Sequence, residues 1–162
     1  MESGEMFAQA DYFEVLIRER LAGGGTVGYL PFRGVSMRPL LRQGKDSVEL
    51  SPLPRTLKKY DLPVYRYPSG KVVMHRVVDV REGQYICLGD NTYQYETVLP
   101  EYCIALVTAI RRGDKVIPTD SMGYKLYSRV WVTLYPLRRC MYLAYRRLRT
   151  FAKKLLKKES DN

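Results

Sequence analysis

The sequence predicts a mainly β protein: an antiparallel β body preceded by a short helix and followed by a basic amphipathic helix. Residues 26 to 117 divide into short β-branched and aromatic runs separated by Gly, Pro and acidic turn residues. Residues 121 to 162 change to a helical spacing of apolar side chains. The charge divides with the pattern. Of the net +10, residues 121 to 162 hold 11 Lys/Arg against 2 acids, leaving 16 against 15 for residues 1 to 120.

A chain of 162 residues has room for one core, so the expected organisation is a domain over 1–120 and a basic tail over 121–162. With 46% hydrophobic and 27% charged residues, it has a globular balance rather than a disordered one. Cys87, Cys103 and Cys140 form no CxxC pair and leave one over, which predicts neither a disulfide framework nor a metal site. No cofactor is expected. The start, "MESGEMFAQADYFEV", lacks a basic n-region and an apolar h-region and so does not read as a secretory signal. The longest apolar run, "VWVTLYPL" at 130–137, is far short of the ~20 residues a spanning helix needs. The expected location is cytoplasmic.

Element by element, "DYFEVLIRERLAGGG" offers Asp11 as N-cap, Glu14 three residues later, and Phe13, Leu16, Ile17 and Leu21 at helical spacing, with Gly23 to Gly25 as the stop. "TVGYLPF" and "RGVSMRPLLRQGKDSVEL" read as strand, turn and strand, punctuated by Gly34, Pro39 and Gly44. "LPVYRY" and "KVVMHRVVDV" flank "PSG"; "QYICLG", "YCIALVTAIRR" and "KVI" continue the series. Within 72–80, Val72, Met74, Val78 and Val80 share one face, and Val73, His75 and Val77 the other. Both faces are largely apolar, which predicts a central strand with His75 shielded. In the tail, Leu137, Met141, Tyr145, Leu148, Ala152 and Leu155 form a stripe set against Arg138, Arg139, Arg146, Arg147, Arg149, Lys153, Lys154 and Lys157.

His75 is the one histidine of the chain. An imidazole, titrating near pH ~6.5, can act as a base at neutral pH, although a lone histidine on a half-apolar strand is more often structural. Catalysis requires a partner and a nucleophile. If Glu82-Gly83 is a two-residue hairpin turn, Arg81 faces Gln84, and the same register carried along the strands puts Asp90 opposite His75. A one-residue slip would remove that pairing. Asp79 shares the face of His75 but stands ~13 Å along the strand. For a nucleophile, Ser36 lies in a loop bracketed by Gly34 and Pro39, where exposed backbone N–H groups could bind an oxyanion. Cys87 competes, but a cysteine alternating with apolar neighbours is more often buried and inert. Lys71 reads as a solvated strand-end charge.

Taken in order, "GVSMRPLL", "YDLPVYRYPSGKVVMHRVV" and "YICLGDN" resemble the signal peptidase I and LexA-like serine peptidases, with their G-x-SM-x-P, D-x-V, [HK]-R-V-V and GDN motifs. The resemblance covers residues 33 to about 110, with 39 residues between Ser36 and His75 and 15 between His75 and Asp90. It implies a LexA/signal-peptidase-like body and a serine endopeptidase with Ser36 as nucleophile, His75 as base in the place where other members carry lysine, and Asp90 as orienting acid. Gly34, Met37 and the Ser36 backbone would form the oxyanion and substrate-binding wall, with Arg76, Gly89 and Asn91 as structural support. Gly34 stands where several members have a hydroxyl, and "GKDSV" replaces the usual GD-x-V. The expected substrate is a peptide or protein with small residues before the scissile bond. No anchor precedes the motif, so the layout is closer to the short, anchorless bacterial members. A non-catalytic peptide-binding or membrane-docked module on the same fold is the alternative.

For the tail, residues 124–158 suit an anionic membrane surface first, a solvated or core-docked helix second and nucleic acid, for which no recognition module is present, third. A membrane-attached tail would make the protein peripheral on the cytoplasmic face.

Overall fold

The computed structural model describes residues 14–160, with side chains described from 14 to 150. It is mainly antiparallel β. Strands β1 (Val27–Pro31), β2 (Asp46–Ser51), β3 (Pro63–Arg66), β4 (Val72–Met74), β8 (Cys103–Arg112) and β9 (Lys115–Pro118) make one sheet. Its order is β1-β2-β8-β3-β4, with β9 also on β8. Strands β5 (Arg76–Arg81), β6 (Gln84–Leu88) and β7 (Glu96–Val98) make a second, three-stranded sheet. Helices are α1 (residues 14–22), α2 (Met122–Thr133) and α3 (Tyr135–Ser160).

Helix α1 buries Ile17 and Leu21 and ends where Gly24, at φ +75°, donates its N–H to the Leu21 carbonyl. The proposed cap Asp11 and Phe13 lie outside the described residues. Glu14 accepts from Arg18 and from Arg66 on β3, which ties the helix to the larger sheet.

Among the described residues the apolar side chains form two clusters, divided by the faces of β3 and β4. Val64, with Val72 and Met74 against it, belongs to the cluster that holds Ile17, Met37, Leu41, Leu50 and Ile110. Tyr65 and Val73 belong to the other, with Val77, Cys87, Val98 and Cys103. This is the alternation of a strand buried on both sides.

The run 72–80 is not one central strand. It breaks at His75: β4 is the edge of the larger sheet and β5 the edge of the smaller one. The chain passes between sheets at the histidine, which is thereby flanked by both and buried to 5% exposure.

The chain divides into a compact unit that runs through Ser128 and one that starts at Arg129. The first unit therefore extends beyond residue 120 and takes in Tyr124, Tyr127 and Ser128. The second is helical, and hydrogen bonds from Leu134 N to Val130 O and from Arg138 N to Leu134 O carry it across the short break between α2 and α3.

Candidate active site

The site begins with a hairpin. At the Glu82-Gly83 turn Arg81 faces Gln84, Val80 faces Tyr85 and Asp79 faces Ile86, with Gly83 at φ +69°. Beyond that point Val77 faces Cys87 and Arg76 faces Leu88, so one residue, Val78, is extra on β5. This β-bulge shifts every later partner by one. It brings Gly89, not Asp90, against the imidazole: a Cβ on Gly89 would stand 3.0 Å from His75 Cδ2.

The expectation that Asp90 orients His75 is corrected by the hydrogen bonds. The carboxylate on His75 Nδ1 is that of Glu96, with Oε2 at 2.8 Å. Cα partners run Val77–Cys87–Glu96 across the smaller sheet, and His75 lies two residues before Val77 on the same face, which explains the meeting. The Tyr65 hydroxyl lies 3.0 Å from Nδ1 and donates to the same Glu96 oxygen. Burial by itself would raise the Glu96 carboxyl, but hydrogen bonds from His75, Tyr65 and Tyr67 outweigh it and hold the group down at about 2. Glu96 is therefore a carboxylate at neutral pH, able to accept the Nδ1 proton and leave Nε2 as the nitrogen that can take one up.

Asp90 faces the other way. Its two oxygens accept from Arg76 Nε at 2.9 Å and Nη2 at 2.8 Å, a bidentate pair in which neither side chain is more than 2% exposed. Three residues of α2 close this pair. Ser128 Oγ and the Tyr124 hydroxyl accept from Arg76 Nη1 at 2.7 and 3.0 Å, and the Tyr127 hydroxyl donates to Asp90 Oδ2 at 3.0 Å. Burial opposes the charge on Arg76, yet the Asp90 hydrogen bonds and charge push its titration further up. Arg76 is thus the centre of a structural pair, held on the face away from the imidazole.

Ser36 is half-buried in a turn clamped on several sides. Met37, Leu40 and Leu41 insert into the larger apolar cluster. The Met37 side chain is therefore a core anchor rather than part of a substrate-binding wall. Buried Asp46 receives the Arg42 N–H at 2.9 Å and the Arg42 guanidinium at 2.8 Å, and Arg112 donates to the Leu40 carbonyl at 2.6 Å. From the GDN segment, Asn91 N donates to the Ser36 carbonyl at 2.6 Å and Asn91 Nδ2 to the Val35 carbonyl at 3.2 Å. Gly89 is required where it is. A Cβ there would stand 2.9 Å from the Ser36 carbonyl oxygen, as well as 3.0 Å from His75, so serine turn and imidazole converge on one glycine. Gly34, at φ +112°, is exposed and donates to Gln43 Oε1. Among the described residues, the N–H groups of Ser36 and Met37 have no protein acceptor, and Ser36 Oγ makes no hydrogen bond to His75.

Cys87, the rival nucleophile, is fully buried. Burial, then the neighbouring Cys103 and Glu96, push its thiol up to about 12, far from thiolate chemistry. Among the described residues no group of His, Cys, Asp and Glu side chains could hold a metal ion. Glu96 and Tyr65 are the two residues at the histidine that motif reading did not find. Glu96 is the one acid between Asp90 and Glu101, on a short β run, and pairing "ETV" back onto "QYICL" would have placed it in the row of Cys87. No protein-family model and no curated protein matches the chain.

Proposed function

We propose that the protein is a serine endopeptidase with a LexA/signal-peptidase-like body, acting through Ser36, His75 and Glu96. The observation that carries this reading is the convergence of the Ser36 turn and His75 on Gly89, with the far nitrogen of the imidazole engaged by an ionised, half-buried carboxylate. A structural histidine has no need of a serine-bearing turn held beside it by core packing and by hydrogen bonds from Asn91.

In this mechanism Ser36 Oγ attacks the scissile carbonyl while His75 Nε2 takes its proton. Glu96 fixes the tautomer and favours the imidazolium that forms. The Ser36 and Met37 N–H groups are available to the oxyanion. His75 then returns the proton to the leaving amine, leaving an acyl-enzyme that water hydrolyses by the same route in reverse. Asp90 takes no part in proton transfer: with Arg76 it holds the segment that carries Gly89 and Asn91.

The test is cleavage of peptides bearing Ala-x-Ala sites by the wild type, Ser36→Ala and His75→Ala, read alongside labelling by a serine-acylating probe. Cleavage and labelling confined to the wild type support the reading. Equal cleavage by all three sinks it. Peptide binding without turnover or labelling would favour a non-catalytic peptide-binding module, a reading consistent with the missing Ser36–His75 hydrogen bond.

A further inference from the structure

Independently of the peptidase reading, we infer that the helical unit from Arg129 onward is a docking surface for an anionic lipid bilayer, lying along the interface rather than crossing it. Among the described residues no helix is long and apolar enough to cross a membrane.

The first observation is an uncovered apolar stripe. Val130, Leu134, Leu137, Met141, Tyr145 and Leu148 follow one another at intervals of three and four residues, and all are exposed, from 42% at Leu134 to 69% at Leu148. Such spacing puts them along one side of a helix. Side chains of this size left in water forfeit much of their burial free energy, and a contiguous row of them marks a contact surface.

The second observation is charge. Helix α3 carries nine Lys/Arg against one acid, Glu159 near its end. Arg138, Arg139, Arg146 and Arg149 fall at helical angles beside or opposite the stripe. Arg138 is stacked over Trp131, 4.0 Å from the ring centroid, and donates to the Trp131 carbonyl at 3.3 Å. A basic sector around an apolar one is the composition of a helix that sinks its apolar face to the acyl boundary while long cationic side chains reach the headgroups.

This composition also chooses between occupants. A second copy seated on the stripe would bring two strongly basic helices together with almost no acid to pair, a like-charge contact. Nucleic acid would use the arginines but leave the leucines and Met141 wet. An anionic bilayer satisfies both at once.

The experiment uses the full chain and flotation with vesicles of phosphatidylcholine alone or with a third phosphatidylglycerol. Expected are binding to the anionic vesicles only, loss in high salt, and weakening of about fivefold for each of Arg146, Arg147 and Arg149 changed to Gln. Met141→Glu with Leu148→Glu, both at exposed positions, is expected to weaken binding about tenfold or more with the circular dichroism of the free protein unchanged. Absence of anionic-vesicle binding overturns the proposal. So does vesicle binding that survives the double Glu substitution, which would make the contact purely electrostatic, or RNA binding in place of vesicle binding.

Discussion

His75 Nδ1 and Glu96 Oε2 lie 2.8 Å apart, while Asp90, the acid of the GDN segment, is paired with Arg76 through both carboxylate oxygens. Two carboxylates, Asp90 buried and Glu96 half-buried, thus carry different tasks on opposite sides of one strand. Glu96 faces the imidazole, and Asp90 faces a cation that helix α2 closes over.

Separate tasks predict separate phenotypes. Glu96→Gln should lower kcat in the peptide assay by about 10²–10⁴-fold, as expected when a histidine loses the carboxylate that fixes its tautomer. Asp90→Asn should instead strip a buried cation of its partner and cost about 3–5 kcal/mol. Thermal unfolding and kcat, measured on both variants, distinguish the two. Equal kinetic loss with unchanged melting for Asp90→Asn would return Asp90 to the catalytic machinery.

The depressed Glu96 carboxyl makes stability depend on pH. Its ordinary value is 4.5 and its folded value about 2, so its contribution is fully present above about pH 5 and is lost as pH falls through 2. The loss amounts to about 3 kcal/mol at most. Urea unfolding between pH 6 and 2 should show this acid limb in the wild type and a shallower one in Glu96→Gln.

Gly89→Ala tests the convergence directly. The added methyl meets the Ser36 carbonyl oxygen at 2.9 Å, Thr92 Cγ2 at 2.9 Å and His75 Cδ2 at 3.0 Å. Overpacking of this kind costs about 1–3 kcal/mol. Because it separates the serine turn from the imidazole, activity should fall by about a hundredfold. Retained activity would show that the two are not positioned through this glycine.

The α2 hydroxyls should contribute to stability without entering the chemistry. Ser128→Ala removes a 2.7 Å bond from Arg76, and Tyr127→Phe a 3.0 Å bond to Asp90. Each should cost about 1.5–3 kcal/mol in denaturant melts, the range for hydrogen bonds to charged groups. The pH profile of peptide cleavage should remain that of the wild type.

Thiol labelling separates the cysteines. Cys140 is exposed, whereas Cys87 and Cys103 are buried, with thiols pushed up to about 12 and about 11 by that burial. A maleimide at pH 7 should modify one cysteine in the native protein and three after unfolding, read by intact mass. Rapid native labelling of Cys87 would reopen it as a nucleophile.

Local chemistry alone determined a good deal of this protein. Turn glycines and alternating β-branched residues predict the antiparallel strands, helical spacing predicts α1 and the basic C-terminal helix, and the Glu82-Gly83 hairpin turn has the expected partners. The pairing of Arg76 away from the imidazole follows from period-two geometry. Tertiary structure decided the rest. The extra residue on β5 falls within Val77-Val78, two identical side chains that give no sign of which is unpaired, and this bulge alone moves Asp90 off His75. The passage of the chain from one sheet to the other at His75 is equally silent, because both halves carry the same valine-rich pattern. Glu96 reaches the histidine only through pairing of β6 with β7, across a seven-residue connection, and α2 reaches Arg76 from about fifty residues away. Local periodicity fixes which face a side chain takes. Which neighbour it meets depends on strand register and long-range packing, and these are settled only when the whole core closes.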